Sequence, residues 1–216
     1  MNEIEKTGQA EIDFAAPTPA QKEPSALPPF LRQEGFYFVA LGGAEKVGMN
    51  MYAYISDGRI IVVDAGYDFL NDDFPGMELG LADPAWLESY RDCIDAMFIT
   101  HSHEDHFGAI AHIWPRLRCP VYATDFTIGH ILPRLREYKL EVELISVNQN
   151  PVVKLPDFEV EYVPVVHSLP ENSALRIKTK YGTVFHATDW RFDDCHIDFM
   201  KTSYDRLKQV GEQGVD

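Results

Sequence analysis

The stretch His101-Ser102-His103-Glu104-Asp105-His106 gathers three imidazoles and two carboxylates into one short segment. Imidazole nitrogen and carboxylate oxygen are the ligands that suit zinc, manganese or iron. A buried cluster of this density needs a partner for every polar atom, which packing alone does not supply. Alternate residues of an extended segment point the same way, so His101 and His103 can share one ion. Asp105 and His106, where the chain turns into a helix, can face a second. Two more candidates lie downstream at strand ends. His167 closes the run Val-Glu-Tyr-Val-Pro-Val-Val, and Asp189 follows Thr-Val-Phe-His-Ala-Thr. Taken alone, the first would read as a structural histidine and the second as a turn residue. They gain weight because the first motif needs ligands from elsewhere in the fold, and a carboxylate such as Asp189 can bridge two ions. Such a centre lowers the pKa of bound water and so points to hydrolysis. No organic cofactor is expected.

The elements that must position these residues can be read from the pattern of apolar runs. FYFVAL (36–41) leads into a Gly-containing loop, GGAEKVG (42–48). MYAYIS (51–56) and RIIVVDAG (59–66) flank Asp57-Gly58, which predicts a β-hairpin. DPAWLESYRDC (83–93) reads as a helix with Asp83 as N-cap and Pro84 in the first turn. DAMFIT (95–100) is a short strand that delivers the metal motif, and FGAIAHIWPRL (107–117) then has helical spacing. PVYAT (120–124) is a strand, and 125–138 is helical with a kink expected at Pro133. VELISV, PVVKL, FEVEYVPVV, SALRIKTK and TVFHAT follow as strands, the last two joined by a turn at Tyr181-Gly182. SYDRLKQVGEQG (203–214) reads as a helix with a glycine stop. Many strands, a few helices between them and polar clusters at strand ends predict a layered α+β domain.

Residues 1–30 mix Ala, Pro and polar residues without periodicity and are expected to be a disordered tail, so the domain is assigned to 31–216. The formal charge of −15 argues against a broad basic surface for nucleic acid. Two bound divalent cations would reverse that sign locally, so a phosphate substrate is not excluded. No apolar run is long enough for a membrane span, and the N-terminus lacks an apolar core for a secretory signal. Three scattered cysteines, Cys93, Cys119 and Cys195, fit a reduced cytoplasmic setting better than a disulfide framework.

The motif order resembles the metallo-β-lactamase superfamily: HxHxDH after an apolar strand, then a strand-end His and a strand-end Asp. Finer text is similar to the ribonuclease J family, the β-CASP branch that processes and degrades RNA. That text comprises Leu41-Gly42-Gly43, Val47-Gly48-Met49-Asn50-Met51-Tyr52, Val63-Asp64-Ala65-Gly66, His167-Ser168-Leu169-Pro170 and Thr188-Asp189-Trp190-Arg191-Phe192-Asp193. The resemblance covers about residues 36–216. It implies an αββα sandwich and two divalent ions, zinc or alternatively manganese. His101, His103 and His167 would hold one ion, Asp105 and His106 the other, and Asp189 would bridge them. Asp105 and Asp64 would be the carboxylates with catalytic roles, Asp64 by fixing a ligand imidazole through a hydrogen bond. The substrate would be RNA, cut internally and degraded from its 5′ end.

This sequence departs from the family in two ways. Ser102 stands where the family commonly has Gly. The family's β-CASP domain and a late histidine ligand are not found after Asp189, so the fold is expected to be truncated. His196 reads as a surface or turn residue, His112 and His186 as packing residues, and His130 as a mid-helix residue without a partner. The resemblance favours a homo-oligomer, and a truncated sheet would expose an edge that invites aggregation or pairing, as with a full-length homologue. Two other readings stand beside the ribonuclease. One is a compact lactamase-fold hydrolase of a small ester or thioester, and the other a non-catalytic metal-binding fragment.

Overall fold

The computed structural model describes residues 34–70, 74–193 and 202–216. The expected tail and His196 lie outside these residues. Six strands form one mixed sheet: β1 (Phe36–Gly42), β2 (Met51–Ser56), β3 (Arg59–Val63), β6 (Ile94–Phe98), β7 (Val121–Ala123) and β8 (Leu144–Ser146), in that spatial order. The first three meander antiparallel, and β3, β6, β7 and β8 run parallel. The β2–β3 turn holds Asp57 and Gly58 at φ 47° and 82°. Positive φ at both central residues suits the twist of a tight hairpin. β4 (Tyr67–Phe69) and β5 (Leu79–Leu81) make a small separate ribbon.

A second sheet is antiparallel, with β12 (Gly182–His186), β11 (Ser173–Thr179), β10 (Glu159–Pro164) and β9 (Val152–Lys154) in spatial order. Strand alternation sends Tyr54, Ile61, Val63, Ala96 and Phe98 of the first sheet against Val160, Tyr162, Leu175 and Ile177 of the second. The opposite face of the first sheet, with Ala53, Ile55, Val62, Met97 and Ile99, packs on the helices through Leu87, Ile110, Ile113, Leu117, Ile131 and Leu135. These residues belong to α1 (Ala85–Glu88), α3 (Ile110–Leu117) and α4 (Asp125–Glu137). On the outer face of the second sheet, α5 (Tyr204–Gln213) is tied to β10 by the ion pair of Arg206 with Glu161, 2.5 Å. The layers therefore run helix, sheet, sheet, helix, as expected for an αββα sandwich.

The local expectations need four corrections. The helix expected at 83–93 is only α1 followed by a separate 3₁₀ turn at Arg91–Cys93. Ser89 and Tyr90 interrupt it, because Cys93 must lead directly into the parallel strand β6. The helix expected at 107–117 is split into α2 (Glu104–Phe107) and α3 at Gly108 and Ala109. There the Ala109 N–H leaves the helical ladder and donates to Ala65 O at 2.9 Å. α4 runs unbroken past Pro133. The last hairpin turns at Lys180 and Tyr181, with Gly182 already paired to Thr179.

Candidate metal centre

The site is assembled by threading the segment after β3 through the segment after β6. Asp64 N donates to Phe98 O, Ala65 N to His106 O, and Gly66 N to Asn50 O, at 2.9, 2.7 and 3.0 Å. Asn50 N in turn donates to Asp105 O at 2.9 Å. This approach is so close that a Cβ on Gly66 would lie 1.6 Å from Asp105 O. Asp64 takes a left-handed backbone, φ 62°, which Asp tolerates better than most residues. The strain of this bend turns its carboxylate back under the motif.

All six ligand candidates come together on one face, beyond the ends of β6, β10 and β12. His101, His103 and His167 offer one set of ligand atoms, and His101, His106 and Asp189 a second, each set within 4.8 Å. Asp105 lies at the rim of the second set. Its Oδ2 is 3.6 Å from His106 Nε2 and 3.2 Å from Asn50 Nδ2. Asp189 Oδ2 is 3.7 Å from His106 Nε2 and 3.8 Å from His167 Nε2, so one carboxylate reaches both sets.

The nitrogens facing away from this convergence are held by fixed partners. The Thr100 backbone N–H and hydroxyl both reach the Asp64 carboxylate, at 2.8 Å and 3.0–3.1 Å. A carboxylate only accepts, so the Thr100 hydroxyl spends its proton there. Its oxygen is then left to accept from His101 Nδ1–H at 3.0 Å and from the Thr188 hydroxyl at 3.0 Å. His106 Nδ1 is 2.7 Å from Asp64 Oδ2, and His103 Nε2 is 3.0 Å from Ser168 Oγ. These contacts aim His101 Nε2, His103 Nδ1 and His106 Nε2 inward.

Inside, His103 Nδ1 is 2.9 Å from His101 Nε2 and 3.1 Å from His167 Nε2. Burial, with the imidazoles of His106, His103 and His167, pushes His101 down to about 2. Burial also holds His103 and His167 below the usual histidine range. Three neutral nitrogens set so close present lone pairs to one another, and a shared cation resolves that arrangement. The donor set therefore fits a divalent metal. Burial opposes charge on His106, yet Asp64 first, then Asp189 and Asp105, hold it up at about 10. The Asn50 amide nitrogen, a donor 3.0 Å from His106 Nε2, favours the opposite state in which that nitrogen accepts. The neighbouring His106 imidazole leads the causes that hold Asp189 down at about 2.

Sequence reasoning missed the roles of Asn50, Thr100, Ser168 and Thr188. Their only signal was their place beside the motif residues. Ser102 is buried with its backbone outside the left-handed region, and its hydroxyl has no hydrogen-bond partner among the described residues. His112 is exposed against Tyr138, contrary to a packing role, and His130 Nδ1 bonds Phe126 O at 2.9 Å. Beside the ligand cluster lies an open cavity of about 470 Å³, lined by loop residues 43–47 and by Asn50, Tyr52, His186 and Asp189 among others.

The sequence matches the family model described as "Beta-lactamase superfamily domain" over residues 59–204. It is 38% identical over 190 residues to ribonuclease J of Sinorhizobium meliloti, an alignment covering 85% of this chain and 34% of that protein. Ribonuclease J of Mycolicibacterium smegmatis is 36% identical over 192 residues, with 88% and 34% covered. The chain thus spans about a third of the length of these relatives. Among solved structures, the metallo-beta-lactamase fold protein YhfI from Bacillus subtilis superposes with a TM-score of 0.53 at 17% identity, covering 75% of this chain and 65% of that one. That likeness agrees with the layered fold. With the family model spanning most of the described residues, the chain belongs to the beta-lactamase superfamily.

Proposed function

We propose that this chain is the metal-holding part of a ribonuclease J-like enzyme that hydrolyses RNA phosphodiesters, by internal cuts and by 5′-to-3′ degradation. The observation that carries this reading is Asp189 lying within reach of both ligand sets, beside an open cavity of about 470 Å³. The similarity to ribonuclease J relatives supplies the substrate class.

His101, His103 and His167 would hold one ion, His106 and Asp105 the other, with Asp189 between them. Zinc suits this nitrogen-rich set, and manganese is the alternative. When bound, such ions would activate the attacking water and neutralise charge developing on the phosphoryl oxygens. The chain's own residues do the rest. Asp64, Thr100 and Ser168 keep the ring nitrogens aimed inward, and Asn50 orients Asp105. Among the described residues β1 and β12 are edge strands of their sheets, which supports assembly with a second copy or a full-length homologue. The expected cytoplasmic setting belongs to this proposal too. Among the described residues no helix is long and apolar enough to cross a membrane.

Elemental analysis of the purified chain, beside a His103→Ala, Asp105→Ala variant, tests the reading. Two ions per chain, lost in the variant, together with metal-dependent cleavage of 5′-labelled RNA, is the expected result. A folded chain that takes up no metal would overturn it.

A further inference from the structure

His186 ends β12 three residues before Asp189 and takes no part in either ligand set. Its ring packs edge-on against Tyr52, centroids 5.0 Å apart, and lines the same cavity as Asp105, His106 and Asp189. Its Nδ1 is 2.9 Å from the hydroxyl of Tyr54. Tyr54 is buried, and burial raises its pKa, so the phenol keeps its proton. A buried hydroxyl proton needs an acceptor. Among the described residues Tyr54 has no other acceptor, so its proton goes to His186 Nδ1. The histidine is then neutral with its own proton on Nε2. No group among the described residues bonds that second nitrogen.

We infer that His186 presents an Nε2–H to the cavity beside the metal centre and donates it to a phosphoryl oxygen of the substrate. This rests on the phosphodiester reading above. Tyr54 is then a positioning residue that selects the tautomer. Burial also holds His186 below the usual histidine range, so the donor stays neutral through physiological pH. A neutral donor suits a site that would hold two cations close by. A protonated ring would be repelled by them.

The test is calorimetric binding of inorganic phosphate to the metal-loaded 216-residue chain, with side-chain ¹⁵N spectra of the histidines. Wild type should bind phosphate and show the His186 proton on Nε2. His186→Asn keeps an acceptor for Tyr54 and removes the outer donor, so phosphate affinity should fall about tenfold or more. His186→Gln restores an amide N–H near the Nε2 position and should recover most of that loss. Tyr54→Phe should shift the tautomer signal toward Nδ1–H, with metal content unchanged in all three variants. Equal phosphate binding by wild type and His186→Asn would overturn the role of His186 and leave the phosphodiester reading standing, as would a proton found on Nδ1 in wild type. Failure of the metal-loaded wild type to bind phosphate at all would overturn the phosphodiester reading itself.

Discussion

Asp64 Oδ2 lies 2.7 Å from Nδ1 of His106, and the carboxylate has no exposed surface. The same carboxylate also takes the Thr100 hydroxyl, which in turn receives His101. One buried acid thus orients two imidazoles, one directly and one through a threonine. It has no exposed surface to meet a substrate, so any effect it has on the proposed hydrolysis runs through the rings it positions.

Replacing Asp64 by Asn keeps the shape and suits the left-handed backbone at that position. It removes the charge and one acceptor. Metal affinity should drop by about 10- to 100-fold, the usual cost of losing such an outer partner. Titration with a chromophoric chelator measures this, and unchanged affinity would mean that Asp64 is only a strand terminus.

In the metal-free protein, His106 is held up at about 10 against an ordinary 6.5. A raised folded-state pKa stabilises the fold fully below the unfolded value, and that contribution is lost as pH climbs through the folded value. The urea midpoint of the metal-free chain should therefore fall between pH 6.5 and about pH 10. Asp64→Asn should flatten that limb. A flat limb in the parent protein would show that Asn50 wins, keeping Nε2 of His106 an acceptor.

Gly66 has no room for a side chain against Asp105 O. Gly66→Ala must push apart the two segments that carry Asp64 and the metal motif. A loss of about 3 kcal/mol or more in unfolding free energy is expected, at the upper end of overpacking costs. Metal uptake should fall with it. Denaturant melts of the metal-free variant separate the two effects.

Cys119 is buried, and desolvation pushes its thiol up to about 12. In the native chain it should resist a disulfide reagent at pH 8 and react only on unfolding. Rapid native labelling of this thiol would show that the strand start at β7 opens readily.

How much of this could be read beforehand divides along sequence distance. HSHEDH announced itself because its polar density is local. His167 and Asp189 were legible once strands were recognised, since both follow apolar runs. Thr100, Ser168 and Asn50 were not, because a single hydroxyl or amide gains meaning only from partners brought in by the fold. The Thr188–Thr100 contact spans 88 positions and Ser168–His103 spans 65. The layered architecture followed from many short strands with a few helices between them and polar residues at strand ends. The helix boundaries failed at Ser89–Tyr90, where the chain breaks off to enter β6, and at Gly108–Ala109, where the long-range bond from Ala109 N to Ala65 O overrides local propensity. His186 looked like packing, and half of it is. Its second nitrogen is visible only against Tyr54.

The backbone threading of residues 64–66 between Asn50 and the 105–109 segment also bears on the order of events during synthesis. Gly66–Asn50 spans sixteen positions, and the hydrogen bonds to the 105–109 segment join positions forty-one to fifty-five residues apart. They can close only after β3 and β6 have found their parallel register, which is a slow, non-local step. The ligand cage is therefore expected to close late in folding, and not to serve as its nucleus. Newly made chains would reach the finished pocket before any ion enters. Which ion settles there would then be decided by the pool of free metal around an already folded protein. Refolding rates that do not change with added zinc, followed by a separate loading phase, would mark that sequence of events.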